Sequence, residues 1–199
     1  GAGPVPIVVG AVIFDLMVGD PAVRLGASAG YAACVSATTG KVSTGSVGAG
    51  AGATVGKWRG PGGVKPGGIG SAVHRSGRLV VGALVAVNAF GDVRSGVPFD
   101  WPVLPTGASE NTTAFEHTTI GVVATNATLD KAACLLVAQS GHDGMARALE
   151  PVHATVDGDA LVAAAVGGVV APLDQVRFLA ARAIEDAVRS AVEAPSEPG

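Results

Sequence analysis

Aromatic residues make up only 4% of the 199 residues, which excludes a core assembled from large stacked rings. Cysteine is almost absent. Cys34 and Cys134 are too few for a disulfide framework, nothing near them suggests a metal site, and both fall in alanine-rich helical patterns that predict buried, reduced thiols. Charge is also sparse: 13 Lys+Arg against 16 Asp+Glu give a net −3, and no basic run interleaves with aromatics, which excludes nucleic acid as a partner. No uninterrupted apolar run reaches the ~18 residues that a membrane span needs. The opening Gly1-Ala2-Gly3-Pro4 carries no basic export signal, so the expected location is cytoplasmic and the Asn111 and Asn126 sequons are incidental.

What remains is a chain rich in small apolar residues. Hydrophobic residues reach 48%, mostly Ala and Val, and the 30 glycines follow no period, which excludes collagen. Side chains this small allow close backbone approach, as in layered sheets and helices. The length suits a single domain spanning 1–199.

Residues 5–16 begin as a β-branched run and predict a buried strand. A small-residue helix is expected near 21–38, capped by Asp20. Residues 40–70 form a long glycine-rich stretch, followed by a hairpin of 69–75 and 78–90 around a Ser76-Gly77 turn. Residues 91–117 read as a connection, and TTIGVVATN (118–126) as a strand with an abrupt start. A helix from Leu129 to Leu149 with Thr128 as N-cap, a segment at 160–170 whose flanks favour strand over helix, and a helix over 173–192 complete the pattern. Such intermixing predicts α/β layers with a mixed sheet.

Four features bear on chemistry. A connection ending at Glu116-His117 runs straight into a strand at Thr118, where a chain can be cut without losing its fold. A threonine freed there offers a hydroxyl nucleophile and an α-amine together. That amine, with a pKa near 7.7–8.0, is roughly one-third neutral at pH 7.5, whereas an ordinary lysine is only about 0.1% neutral. The amine is therefore a ready base for its own hydroxyl. On residues alone, Thr118 reads first as an ordinary strand start.

The second feature is HATVDGD (153–159), whose extended backbone sets Asp157 and Asp159 on one face, able to hold an ammonium or a hydroxyl proton. A plain polar turn is the alternative. Lys57 in the glycine-rich stretch is the third. It fails as a phosphate loop, because Ala51 stands where the first glycine belongs and Trp58 where Ser or Thr should follow. Gly48-x-Gly50-x-x-Ala53 fits a dinucleotide fingerprint only loosely. A cation there still suits a developing oxyanion. The fourth is Asn88, an amide inside an apolar strand, which is either a satisfied core group or an oxyanion donor. His74, His117 and His142 have no evident partners in the sequence.

In this order, GAVIFDL (10–16), ATVGKWRGPGGVKPGGIGSA (53–72), VVGALVAVNAFGDV (80–93), TTIGVVATNATLDKAAC (118–134) and HDGMARALEPVHATVDGD (142–159) resemble the DmpA/nylon-oligomer hydrolase family, peptidase family S58. The resemblance implies a four-layer α/β/β/α sandwich and self-cleavage between His117 and Thr118 into two associated chains, commonly as homotetramers. It implies Thr118 as nucleophile, Asp157 and Asp159 as the pair orienting it, and Asn88 and Lys57 in the substrate-facing wall. The substrate would be a short peptide or small amide, with neither cofactor nor metal. Against the family pattern, His117 replaces the usual Asn or Gly, Phe14 stands where some relatives have tyrosine, and the N-terminal part of the pattern is absent. Asn111-Thr112-Thr113 is a second, less favoured cut point. Two other readings stand beside the hydrolase: an acyltransferase of the ornithine acetyltransferase type, and a ligand-binding module using the glycine-rich stretch.

Overall fold

The computed structural model describes residues 7–16, 19–96 and 117–193, together with Gly3 and Val5. In chain order its elements are α1 (Ala27–Val35), β1 (Thr54–Val55), β2 (Lys65–Pro66), β3 (Gly68–Ser76), β4 (Leu79–Val87), β5 (Asp92–Val93), β6 (Ile120–Ala127), α2 (Lys131–Ala148), β7 (Leu149–Glu150), β8 (Ala160–Val169) and α3 (Leu173–Ser190). Strands β3, β4, β6 and β8 lie side by side in that order. The first three are antiparallel neighbours, while β6 and β8 run parallel, so the sheet is mixed and the class is α/β. Parallel strands need a crossover between them, and α2 supplies it.

Helices α2 and α3 pack on each other and on one face of this sheet. Buried Val81, Val85, Val123, Val137, Met145, Ile184 and Val188 form the core between the layers. Small residues set its thickness. A Cβ on Gly144 would collide with the Ala181 carbonyl where the helices touch, and one on Gly70 with the Ala187 carbonyl where α3 meets β3. Helix α2 is capped by Asp130, whose carboxylate accepts from the Ala133 N–H at 2.8 Å, rather than by Thr128. Thr128 Oγ1 instead accepts from the Gly168 N–H. Among the described residues no helix is long and apolar enough to cross a membrane.

The opposite sheet face is open. Leu84, Ala86, Ile120, Val122 and Val162 floor a cavity of about 420 Å³, and Val9, Gly10 and Ala11 lie across it. Residues 7–16 form no strand, contrary to the apolar run; Ile7, Val8 and Val12 are exposed. A strand exists only where a neighbour completes its hydrogen bonds, and among the described residues none pairs with this segment. Asp20 caps no helix either: it closes a turn onto the Ala22 N–H, and α1 begins later, at Ala27, behind Gly26. No residue of α1 is buried, so Cys34 is exposed; Cys134, on α2, is half-buried, and neither is the core thiol that the alanine-rich pattern suggested.

Candidate active site

The strand registers converge on Thr118. Residues 86 and 120 pair across β4 and β6, and the same register continued past the strand ends sets Asn88 opposite Thr118. The Thr118 N–H donates to the Asn88 carbonyl at 3.0 Å. On the other side the β6/β8 pairing runs back to a bridge between His117 and Asp157. There the His117 N–H donates to the Val156 carbonyl, and the Gly158 N–H donates to the His117 carbonyl at 2.6 Å. Thr118 is thus stitched on both flanks and is 4% exposed. Its hydroxyl donates to the carbonyl of the residue before it, His117, also at 2.6 Å. That carbonyl oxygen receives two donors, which polarises the carbon beside the Thr118 oxygen. The His117 ring stacks on Phe90, centroids 5.5 Å apart.

Asn88 and Lys57 form one wall. Asn88 is fully buried, and its Oδ1 accepts from the Thr54 N–H at 3.0 Å and from Lys57 Nζ at 2.8 Å. Its Nδ2 donates to the Phe14 carbonyl at 2.9 Å. Lys57 follows Gly56, whose left-handed backbone (φ 78°) turns the chain so that the ammonium enters the site. Nζ also donates to the carbonyls of Thr54 and Asn88. Burial pulls the Lys57 pKa down to about 8, against the opposing pull of Asp157 and then Asp15.

The acids form the other wall. Asp157 Oδ1 accepts from the Phe90 N–H at 3.0 Å, and Oδ2 from the Ala154 N–H. Burial, then the Asp159 charge, pushes its pKa up to about 6, against those two bonds and Lys57. Asp159, with its side chain 4% exposed, accepts from the Thr119 N–H at 2.8 Å and pairs with His153 Nδ1 at 2.8 Å. The hydrogen bond to Asp159 raises the His153 pKa despite partial burial. His142 lies against His153, ring centroids 4.9 Å apart, and is held below its ordinary value by burial and by that neighbour.

The other four residues singled out in the sequence, Asp157, Asp159, Asn88 and Lys57, therefore gather around Thr118. Neither carboxylate bonds the Thr118 hydroxyl; each grips a backbone N–H beside it instead. His153 carried no assigned role in the sequence, because its partner lies across a left-handed turn; its only signal was its place six residues before Asp159. Of the other histidines, His74 pairs with Asp186 on α3. Among the described residues no cluster of His, Cys, Asp and Glu is arranged for a metal. The second cut point at Asn111-Thr112-Thr113 lies outside the described residues.

The mixed sheet with its helix layer on one face is similar to the Ntn hydrolase fold. The L-aminopeptidase D-Ala-esterase/amidase of Ochrobactrum anthropi, a variant of that fold, superposes with a TM-score of 0.57 over 77% of this chain and 46% of that one, at 23% identity. Residues 2–198 match the sequence model of peptidase family S58, and the chain belongs to that family. It is 42% identical to an uncharacterized aminopeptidase of Mycobacterium leprae, over 85% of this chain and 52% of that protein. An uncharacterized aminopeptidase of Mycobacterium tuberculosis H37Rv is 40% identical over 86% of this chain and 54% of its own. The β-aminopeptidase of a Burkholderia species superposes with a TM-score of 0.64 at 25% identity, covering 89% of this chain and 54% of that one. The chain spans about half the length of the curated relatives it matches.

Proposed function

We propose that this chain belongs to a self-processing peptide and amide hydrolase whose nucleophile is Thr118. The observation that carries the reading is the His117 carbonyl oxygen, 2.6 Å from the Thr118 hydroxyl and 2.6 Å from the Gly158 nitrogen. In processing, Thr118 Oγ1 adds to the His117 carbonyl carbon, and the Gly158 N–H supports the resulting oxyanion. The C–N bond breaks, its nitrogen takes the hydroxyl proton to become the α-amine, and His117 is left as an ester on Oγ1. Water hydrolyses that ester, giving a His117 carboxylate and restoring the hydroxyl.

In turnover the freed amine accepts the hydroxyl proton as Oγ1 attacks a substrate amide. The leaving amine takes that proton, and water then releases the acid. The Asn88 carbonyl, already the acceptor of the Thr118 nitrogen, would hold the ammonium form, while Lys57 stands beside the oxyanion. Membership of S58 and the aminopeptidase relatives support short peptides or small amides as substrates.

Intact-mass measurement tests the processing step. Two fragments divided between His117 and Thr118 are expected, and Thr118→Ala should stay whole. A single uncut species after long incubation, identical to Thr118→Ala, refutes the reading. Hydrolysis of a short peptide amide, lost in Thr118→Ala, is the matching test of turnover.

A further inference from the structure

We propose that His153 is a positioning residue for the nucleophile: it holds the buried Asp159 carboxylate through Nδ1, and Asp159 in turn holds the Thr118–Thr119 peptide unit through the Thr119 N–H. This rests on the reading of Thr118 as nucleophile and adds to it a chain of two bonds, each 2.8 Å long. The chain starts from an exposed imidazole, whose side chain is 39% accessible, and ends at a backbone amide one residue from the reacting oxygen.

The backbone gives independent support. His153 has φ 53°, the one non-glycine residue with positive φ among the described residues. A side chain in that region is strained and persists only where its surroundings over-determine it. Here the left-handed turn aims the ring at Asp159. Two donors on separate oxygens, the Thr119 N–H on Oδ1 and the His153 ring on Oδ2, fix the rotamer of the buried carboxyl group. The groups facing His153 are His142 on α2, and Asp157 and Asp159 on its own loop, while Asp143 acts on His142. The hydrogen bond to Asp159 raises the His153 pKa, while burial, then the neighbouring His153, lowers that of His142.

The test follows the Thr119 amide by ¹⁵N–¹H NMR of the full chain through the imidazole titration range, alongside peptide-amide kinetics. In the wild type the Thr119 amide should shift with the midpoint of the His153 ring. His153→Ala should abolish that titration and lower kcat about 10- to 100-fold with KM nearly unchanged, as a misplaced nucleophile would. His153→Asn tolerates the left-handed backbone and sets an amide N–H near the place of Nδ1. It should recover most of kcat without the pH step. An amide that ignores the His153 midpoint, a loss carried in KM alone, or an Asn variant no better than Ala overturns the proposal. If His153→Ala does not fold, the wild-type titration and His153→Asn decide by the same outcomes. Failure of the Thr118 reading shows separately, as a wild type with no cut and no turnover, and leaves the amide titration to decide.

Discussion

The two walls around Thr118 solve the same problem by opposite means. On the Asn88 side the contacts centre on a fully buried amide: Asn88 Oδ1 is shared by two donors, and the half-buried Lys57 donates to carbonyl oxygens around it. On the Asp157 side two carboxyl groups grip backbone N–H groups, and His153, behind Asp159, reaches solvent. Burial pulls the Lys57 pKa down and pushes that of Asp157 up, so both are drawn toward neutrality and toward each other. The first wall is rigid because any loss strands a buried partner. Both walls answer to pH, the second through Asp157 at about 6 and the first through Lys57 at about 8.

The sharpest way to break this contrast is Asn88→Ala. It leaves the Thr54 N–H, the Phe14 carbonyl and the Lys57 ammonium short of partners, and should cost about 3 kcal/mol of stability in denaturant unfolding. A cost near zero would mean that this wall is not rigid. Next is Lys57→Met. Wild-type kcat/KM should fall as pH rises past about 8 and the ammonium is lost, and the variant should be weakly active with no such limb. A limb surviving in the variant would assign it to another group.

Asp157→Asn should have a smaller effect, visible as a slope in stability against pH. The folded pKa of Asp157 lies above its ordinary 3.8, so the folded state keeps a proton that the unfolded chain has shed. Wild-type stability should therefore decline from about pH 4 through about 6, and the variant should lack this decline. Smallest is His153. Its folded pKa is raised, so its contribution is complete below the ordinary 6.5 and fades as pH rises through the folded value. Partial exposure screens it, and His153→Asn should flatten only this shallow alkaline decline in thermal melts.

Local pattern made much of the scaffold legible. Alternating and β-branched runs marked β3, β4 and β6, flanking turn residues marked β8, and helical spacing marked α2 and α3, because each property is written within or beside one segment. The same reasoning misread residues 5–16, whose apolar run has the composition of a strand but no strand beside it among the described residues. The candidate site was legible only as a set. Thr118, Asp157, Asp159, Asn88 and Lys57 each had an ordinary structural reading, and only their order along the chain, through the family resemblance, joined them. That the two acids grip the Phe90 and Thr119 amides, and that His153 reaches Asp159 across a left-handed turn, was not visible beforehand.

The sequence by itself determined where the chain can form strands and helices, how small its core residues are, and which few polar groups interrupt apolar runs. These depend on periodicity and composition, which act over a few neighbouring residues. Only the tertiary structure decided who faces whom: the registers that bring Asn88 opposite Thr118 and Asp157 alongside His117, and the burial that shifts Lys57 and Asp157 from their ordinary pKa values. Those depend on contacts between segments far apart in the chain, and on desolvation, which no single segment carries.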